Sequence, residues 1–150
     1  MVLFEKRATR SDDRWSGQVA FPGGKFKDGD VTLDKTACRE FFEETGVEIC
    51  GSGELIGFMD PLSPMNLPSL MVTPFVLILE QDADFRFNPS EEVESLFWAD
   101  LMNLSYVETE VYSSSGKIRW RALAYEGNIV WGMTQRIIEE LVKNMKGAGT

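Results

Sequence analysis

The chain has 150 residues, 43% of them hydrophobic and 26% charged, which suits one domain with a core of its own and excludes a disordered or fibrous composition. Fifteen Lys and Arg against 24 Asp and Glu give a net charge of −9, opposing unspecific contact with nucleic acid or an anionic membrane; an anionic small molecule would bind through a metal and a few placed cations. Histidine is absent, which excludes a Ser-His-Asp triad, a Cys-His pair and the usual zinc hydrolase sites, so any general base is a carboxylate or a water acidified by a metal.

Residues 2–6 read as a short apolar strand, and Glu5, Lys6 and Arg7 interrupt the apolar run too early for a signal peptide. The longest apolar run, residues 70–79, contains Thr73 and Pro74 and falls far short of the ~20 residues a spanning helix needs. No membrane segment is expected, and the location expected is the cytosol or an organelle matrix such as the peroxisome or mitochondrion, not the exterior. Cys38 and Cys50 have no metal-like spacing and are expected to be reduced packing residues. A polar loop over residues 7–14 leads to a short strand at 18–20 and then to the turn Phe21-Pro22-Gly23-Gly24, whose paired glycines let backbone come close to a ligand. A short strand and loop are expected over residues 25–31. Thr32 is a plausible N-cap for a helix running to about Thr45, and Gly46 is its stop. On that helix Ala37, Cys38, Phe41 and Phe42 form an apolar face, while Glu40, Glu43 and Glu44 project from the other side. At ~100° per residue those three carboxylates fall within about one third of the helix circumference. They crowd at the helix C-terminal end, where the macrodipole disfavours negative charge, and so call for a hard divalent cation such as Mg²⁺.

A strand is expected over residues 54–60, then a stiff loop over 61–69 with Pro61, Pro64 and Pro68, either a mere connection or a wall for a ligand. Residues 70–80 read as a strand buried on both faces, 81–90 as a turn, and Glu91-Glu92-Val93 as the entry to a strand ending near Trp98. A hairpin follows over 106–125 with its turn at 113–116; Trp120 and Tyr125 are core residues first and base-stacking candidates second. Residues 131–146 form an amphipathic helix with Ile137, Ile138, Leu141 and Met145 at core spacing, and a frayed tail ends the chain. The fold class expected is α+β, an α/β/α sandwich with a mixed sheet between helices, as a single domain over 1–150.

Arg39-Glu40-Phe41-Phe42-Glu43-Glu44-Thr45-Gly46-Val47 resembles the second half of the signature box of the Nudix hydrolases, G-x5-E-x7-R-E-U-x-E-E-x-G-U with U bulky and aliphatic, Phe41 standing in the U place. The first half departs from it: six residues after Gly24 stands Asp30 rather than glutamate, and eight residues rather than seven separate Asp30 from Arg39. Gly17-Gln18-Val19-Ala20-Phe21-Pro22-Gly23-Gly24 is similar to the ending of the extra motif of the coenzyme A diphosphatase branch, with Arg14 one position nearer the glycine than in that motif. Val72-Thr73-Pro74-Phe75-Val76, Glu91-Glu92-Val93 and Ile129-Val130-Trp131-Gly132-Met133-Thr134 also resemble segments of that branch.

The resemblance implies the Nudix fold and a Mg²⁺- or Mn²⁺-dependent diphosphatase whose metals are held by Glu40, Glu43 and Glu44. It implies catalytic roles for Glu43, Glu44, Arg39 and Glu92, with Glu91 the alternative to Glu92. Substrate contacts would come from Arg14, Phe21, Gly23, Gly24 and Lys25. Coenzyme A or a derivative is the first substrate expected; ADP-ribose, a dinucleoside polyphosphate, or nucleotide binding without hydrolysis are the alternatives. The partner implied is a small-molecule nucleotide, not a nucleic acid.

Overall fold

The computed structural model of the chain describes residues 1–80 and 85–147. In chain order it contains strands β1 (Val2–Arg7) and β2 (Val19–Ala20), helix α1 (Leu33–Thr45), and strands β3 (Gly53–Phe58), β4 (Phe75–Leu79) and β5 (Val93–Ala99). A short helical turn at Leu101–Asn103 precedes strands β6 (Ser105–Ser113), β7 (Gly116–Tyr125) and β8 (Asn128–Val130) and helix α2 (Gly132–Gly147). Hydrogen bonding groups the strands as β2-β1-β5, β3-β4 and β6-β7-β8. The α+β class with helices against sheet is what the structure shows. Every strand pairing among the described residues is antiparallel, so the parallel pairs that a mixed sheet implies are not among them.

The core lies where β1, β2 and β5 meet β7, β8 and α2: Phe4, Val19, Ala99, Leu123, Val130 and Ile138 form one buried cluster. Phe4 is its centre, with ring centroids 5.1 Å from Phe21 and 5.6 Å from Phe97. The Thr134 hydroxyl, in the first turn of α2, donates to the Val19 carbonyl at 3.0 Å and pins that helix to β2. Strand side chains alternate between faces, so with Phe4 turned into this cluster its neighbours Leu3 and Glu5 occupy the other face of β1, and they too are buried. On the far side of the chain, the Asn88 N–H donates to the Thr45 carbonyl at 2.8 Å and the Ser90 N–H to the Glu44 carbonyl at 3.1 Å, tying the end of α1 to the entry of β5.

The hairpin, the proline loop and both helices fall where the sequence places them, and several details differ. The stretch 70–80 is a strand only from Phe75 to Leu79, is paired to β3 alone, and is half-buried to exposed rather than covered on both faces. Pro74 has no N–H to continue a ladder, and Val72 instead bridges to Leu62 across the proline loop. Residues 25–31 form no strand but a turn. Cys38 and Cys50 are not free packing residues: they are joined as a disulfide, because the left-handed Gly46 turns the chain back along α1 and brings their Cα atoms to 5.7 Å. Met145 lies on the overhanging end of α2, 60% exposed, whereas Ile137 and Ile138 are buried. Tyr125 is a core residue, stacked on Phe97 at 6.5 Å. Positions 81–84 of the expected turn and 148–150 of the tail lie outside the described residues. No described helix is long and apolar enough to cross a membrane.

Removing the Phe4 ring leaves a cavity in the middle of this cluster, so Phe4→Ala is expected to cost about 3–5 kcal/mol. Met145→Ala, in contrast, should change stability by no more than about 0.5 kcal/mol. Urea unfolding followed by circular dichroism measures both.

Candidate functional site

The turn that leads into α1 decides how its charged residues are arranged. The Asp30 N–H donates to the Lys27 carbonyl at 2.9 Å and the Thr32 N–H to the Asp30 carbonyl at 2.7 Å, with Val31 between them at φ 66°. A β-branched residue in the left-handed region is strained. Here that conformation absorbs the additional residue between Asp30 and Arg39 and directs the Asp30 carboxylate back towards α1. Thr32 stands at the N-cap position in extended backbone, but its hydroxyl makes no capping bond. The carboxylate of Asp30 accepts from Arg39 Nε at 2.6 Å and Nη2 at 2.9 Å, from the Thr36 hydroxyl at 2.9 Å and from the Lys27 N–H at 2.8 Å. These bonds, Arg39's foremost, hold Asp30 well below the usual carboxylate range, and Asp30 in turn raises Arg39. Arg39 also donates from Nη1 to Glu40 at 2.7 Å and to Glu43 at 3.0 Å, and from Nη2 to the Lys25 carbonyl at 2.9 Å. The Arg39 bond lowers the Glu43 carboxyl below its ordinary value.

The two faces of α1 are not the apolar and acidic pair expected. Glu44 is 5% exposed and Phe42 49% exposed, and the buried residues of the helix are Thr36, Glu44 and Thr45. Glu44 is buried because it faces the glycine turn and β1: the Gly23 N–H donates to its Oε2 at 2.8 Å. Gly24 sits against the neighbouring carboxylate so closely that a Cβ there would fall 2.4 Å from Glu40 Cδ. Beneath Glu44 lies Glu5 of β1, 1% exposed, with its Oε2 lacking any hydrogen-bond partner. Arg7 Nη1 stands 3.7 Å from Glu5 Oε1, while Arg7 Nε is committed to Asp13 at 2.8 Å. Burial is the main cause that raises both carboxyls above the ordinary range; repulsion from Glu5 adds to it at Glu44, and Arg7 moderates it at Glu5.

The glycine turn, Glu40 and Glu44 form one side of a cleft of about 1780 Å³. Of the residues expected in the site, Arg14, Phe21, Gly23, Gly24, Lys25, Glu40, Glu44 and Glu92 line it, whereas Glu43 and Arg39 stand beside it. Arg14 donates to the Asn66 carbonyl at 3.4 Å in the proline loop and lies 6.0 Å from the Trp15 ring centre. Phe21 has its ring packed on Phe4, so it joins the cleft to the core. Glu92 occupies the turn just before β5, its side chain 60% exposed and 3.9 Å from Arg10. Trp120 also faces the cleft, its indole N–H donating to Gln135 Oε1 at 2.9 Å. Glu5 is the buried neighbour of Glu44 that the sequence did not single out. Its signal was an acid set directly after Val2-Leu3-Phe4 in a strand, which is unusual once both strand faces are covered.

Among the described residues no three acidic or sulfur ligands are already gathered as a cation cage. The cause is visible: Arg39 clasps Glu40 and Glu43, while Glu44 is turned to Gly23 and Glu5. The donor set itself, all carboxylate oxygens, suits a hard divalent cation, and the partnerless Glu5 oxygen marks a place where positive charge is wanting. Glu40 and Glu44 at the cleft, with Glu43 one step away on the same helix, are the residues that could hold it.

Residues 1–119 match the NUDIX domain, and the chain belongs to that family. The chain is 35% identical over 130 residues to the protein described as uncharacterized Nudix hydrolase NudL of Escherichia coli O1:K1 / APEC, and equally to that of Shigella boydii serotype 18 (strain CDC 3083-94 / BS512). The match covers 84% of this chain and 66% of each relative, so the chain spans slightly less than two thirds of their length.

The buried pair gives the metal-free chain a pH dependence of definite sign. Because Glu5 and Glu44 have folded-state values above the ordinary 4.5, the folded chain keeps protons that the unfolded chain releases. Their contribution is complete below about pH 4.5 and is lost as pH rises through the folded values. No histidine titrates in that window. Urea unfolding in the presence of a chelator should therefore give a stability lower at pH 8 than at pH 5.5 by roughly 1–3 kcal/mol, and Glu5→Gln should shrink that difference.

Proposed function

We propose that this chain hydrolyses the diphosphate bond of a nucleoside diphosphate linked to another moiety, with Mg²⁺ or Mn²⁺ as cofactor and coenzyme A or a derivative as substrate. The observation that carries the reading is the apposition of the Phe21–Gly24 turn to the carboxylates of α1 at one cleft: the Gly23 N–H on Glu44, and Gly24 so close to Glu40 that no side chain fits between them. Family membership over residues 1–119 supports it.

The chemistry a divalent cation supplies when bound is neutralisation of diphosphate charge and a lowered pKa for the attacking water. The chain's own residues do the rest. Gly23 and Gly24 present backbone to the phosphates, and Arg14 and Lys25 add positive charge at the same rim. Arg39, fixed by its bidentate pair with Asp30, orients Glu40 and Glu43. Glu92, exposed at the cleft and held only loosely by Arg10 at 3.9 Å, takes the proton of the attacking water. Beyond the turn the cleft is walled by Met59, Met65, Met71, Phe75 and Trp98, an apolar run that supports a substrate with a long, weakly polar arm such as pantetheine.

The test is a panel of coenzyme A, ADP-ribose, dinucleoside polyphosphates and NADH incubated with the purified chain and Mg²⁺ or Mn²⁺, with products resolved by chromatography. Cleavage of coenzyme A to 3′,5′-ADP and 4′-phosphopantetheine, abolished by a chelator, is the expected result. Preference for another member would keep the reaction and change the substrate, and no turnover of any member would overturn the reading. Glu43→Gln and Glu44→Gln should each reduce kcat by about 100-fold or more with an unchanged circular dichroism spectrum. A variant that keeps full activity removes that residue from the site.

A further inference from the structure

Glu5 stands outside the signature box, and its position in the fold is costly. A carboxyl on β1 that is 1% exposed, with Oε2 unpartnered, forgoes hydration at that oxygen without a compensating bond there. The strand does not need it, because β1 pairs with β2 and β5 through its backbone. Its surroundings are acidic: Glu44 is in direct interaction with it, and Glu40 and Glu92 are near enough to repel it. The cation beside it, Arg7, stands 3.7 Å away and is shared with Asp13. Glu5 is thus set among like charges with one partly committed guanidinium beside it, and it keeps an oxygen unused. An apolar or amide side chain at this position would not raise these costs.

From that geometry we infer that Glu5 is a fourth carboxylate of the cation site, contributed by β1, whose free Oε2 takes up a divalent cation together with Glu44. The inference rests on the cation site proposed above and extends it inward, below the cleft floor. Since Glu5 does not line the cleft, the cation it shares is one the protein binds by itself, before any nucleotide arrives. Cations carried in on substrate phosphates would instead depend on the outer acids, Glu40 and Glu43.

The experiment titrates Mn²⁺ alone into the full chain without substrate, following free Mn²⁺ by electron paramagnetic resonance and heat by calorimetry. The unmodified chain should bind Mn²⁺, Glu5→Gln should weaken that binding at least tenfold, and Glu5→Asp, which keeps the charge on a shorter arm, should lie between them. Glu5→Gln binding within twofold of the unmodified chain, with its fold intact, overturns the inference and leaves the hydrolase reading standing. Absence of Mn²⁺ binding by the unmodified chain also overturns it, and the substrate panel then judges the hydrolase reading separately. Should neither variant fold, hydrogen exchange on the unmodified chain decides: Mn²⁺ must slow exchange of the β1 amides around Glu5, and an unchanged β1 rejects the role.

Discussion

Arg39 makes hydrogen bonds to Asp30, Glu40, Glu43 and the Lys25 carbonyl, and the geometry of residues 25–44 follows from that set. A guanidinium presents its donors in a rigid planar fork, so fixing one edge on a carboxylate fixes where the other edge points. Asp30 takes that first edge through two bonds and is itself held by Thr36 and the Lys27 N–H. The remaining donors therefore face two acids of α1 and a carbonyl of the turn. A segment with no regular structure is in this way bound to the helix it precedes, and the glycine turn before it is delivered to Glu40 and Glu44.

The same arrangement divides the acids of α1 by environment. Glu43 is exposed and lowered by Arg39, whereas Glu44 is buried and raised. Two neighbouring glutamates on one helix thus sit in opposite electrostatic environments, one favouring the charged form and one opposing it. The cost is a helix whose buried face is polar. The core around Phe4, together with the link from Thr134 to Val19, stabilises the sheet against which that face is set.

Much of this was legible in the residues. The run from Arg39 to Val47 identified the family, and the helix stop at Gly46, the hairpin turn and α2 are set by local chemistry that a sequence displays. What stayed hidden depends on contacts between distant segments. Amphipathic spacing assigned Phe42 to the apolar face and Glu44 to the opposite, acidic one, yet tertiary placement against β1 and the glycine turn buries Glu44 and leaves Phe42 exposed. The eight-residue spacing after Asp30 departs from the box, but Val31 in the left-handed region restores the pairing with Arg39. Spacing alone also gave no reason to join Cys38 to Cys50, since their approach comes from the reversal at Gly46. Glu5 reads as an ordinary interruption of an apolar strand until β1 is covered on both sides.

The contact between Gly24 and Glu40 has a consequence for how this molecule can vary over evolutionary time. Any side chain at position 24 would collide with the carboxylate itself, and its nearest atoms lie within 2.6 Å of where a Cβ would stand. A side chain there must push that carboxylate off its bond to Arg39, so position 24 and the grip of Arg39 on Glu40 vary together. The opposite wall, with exposed Met65 and Met71 on and after the proline loop, carries no such restriction. The apolar wall is thus free to drift position by position, while the turn and the helix facing it change only in concert.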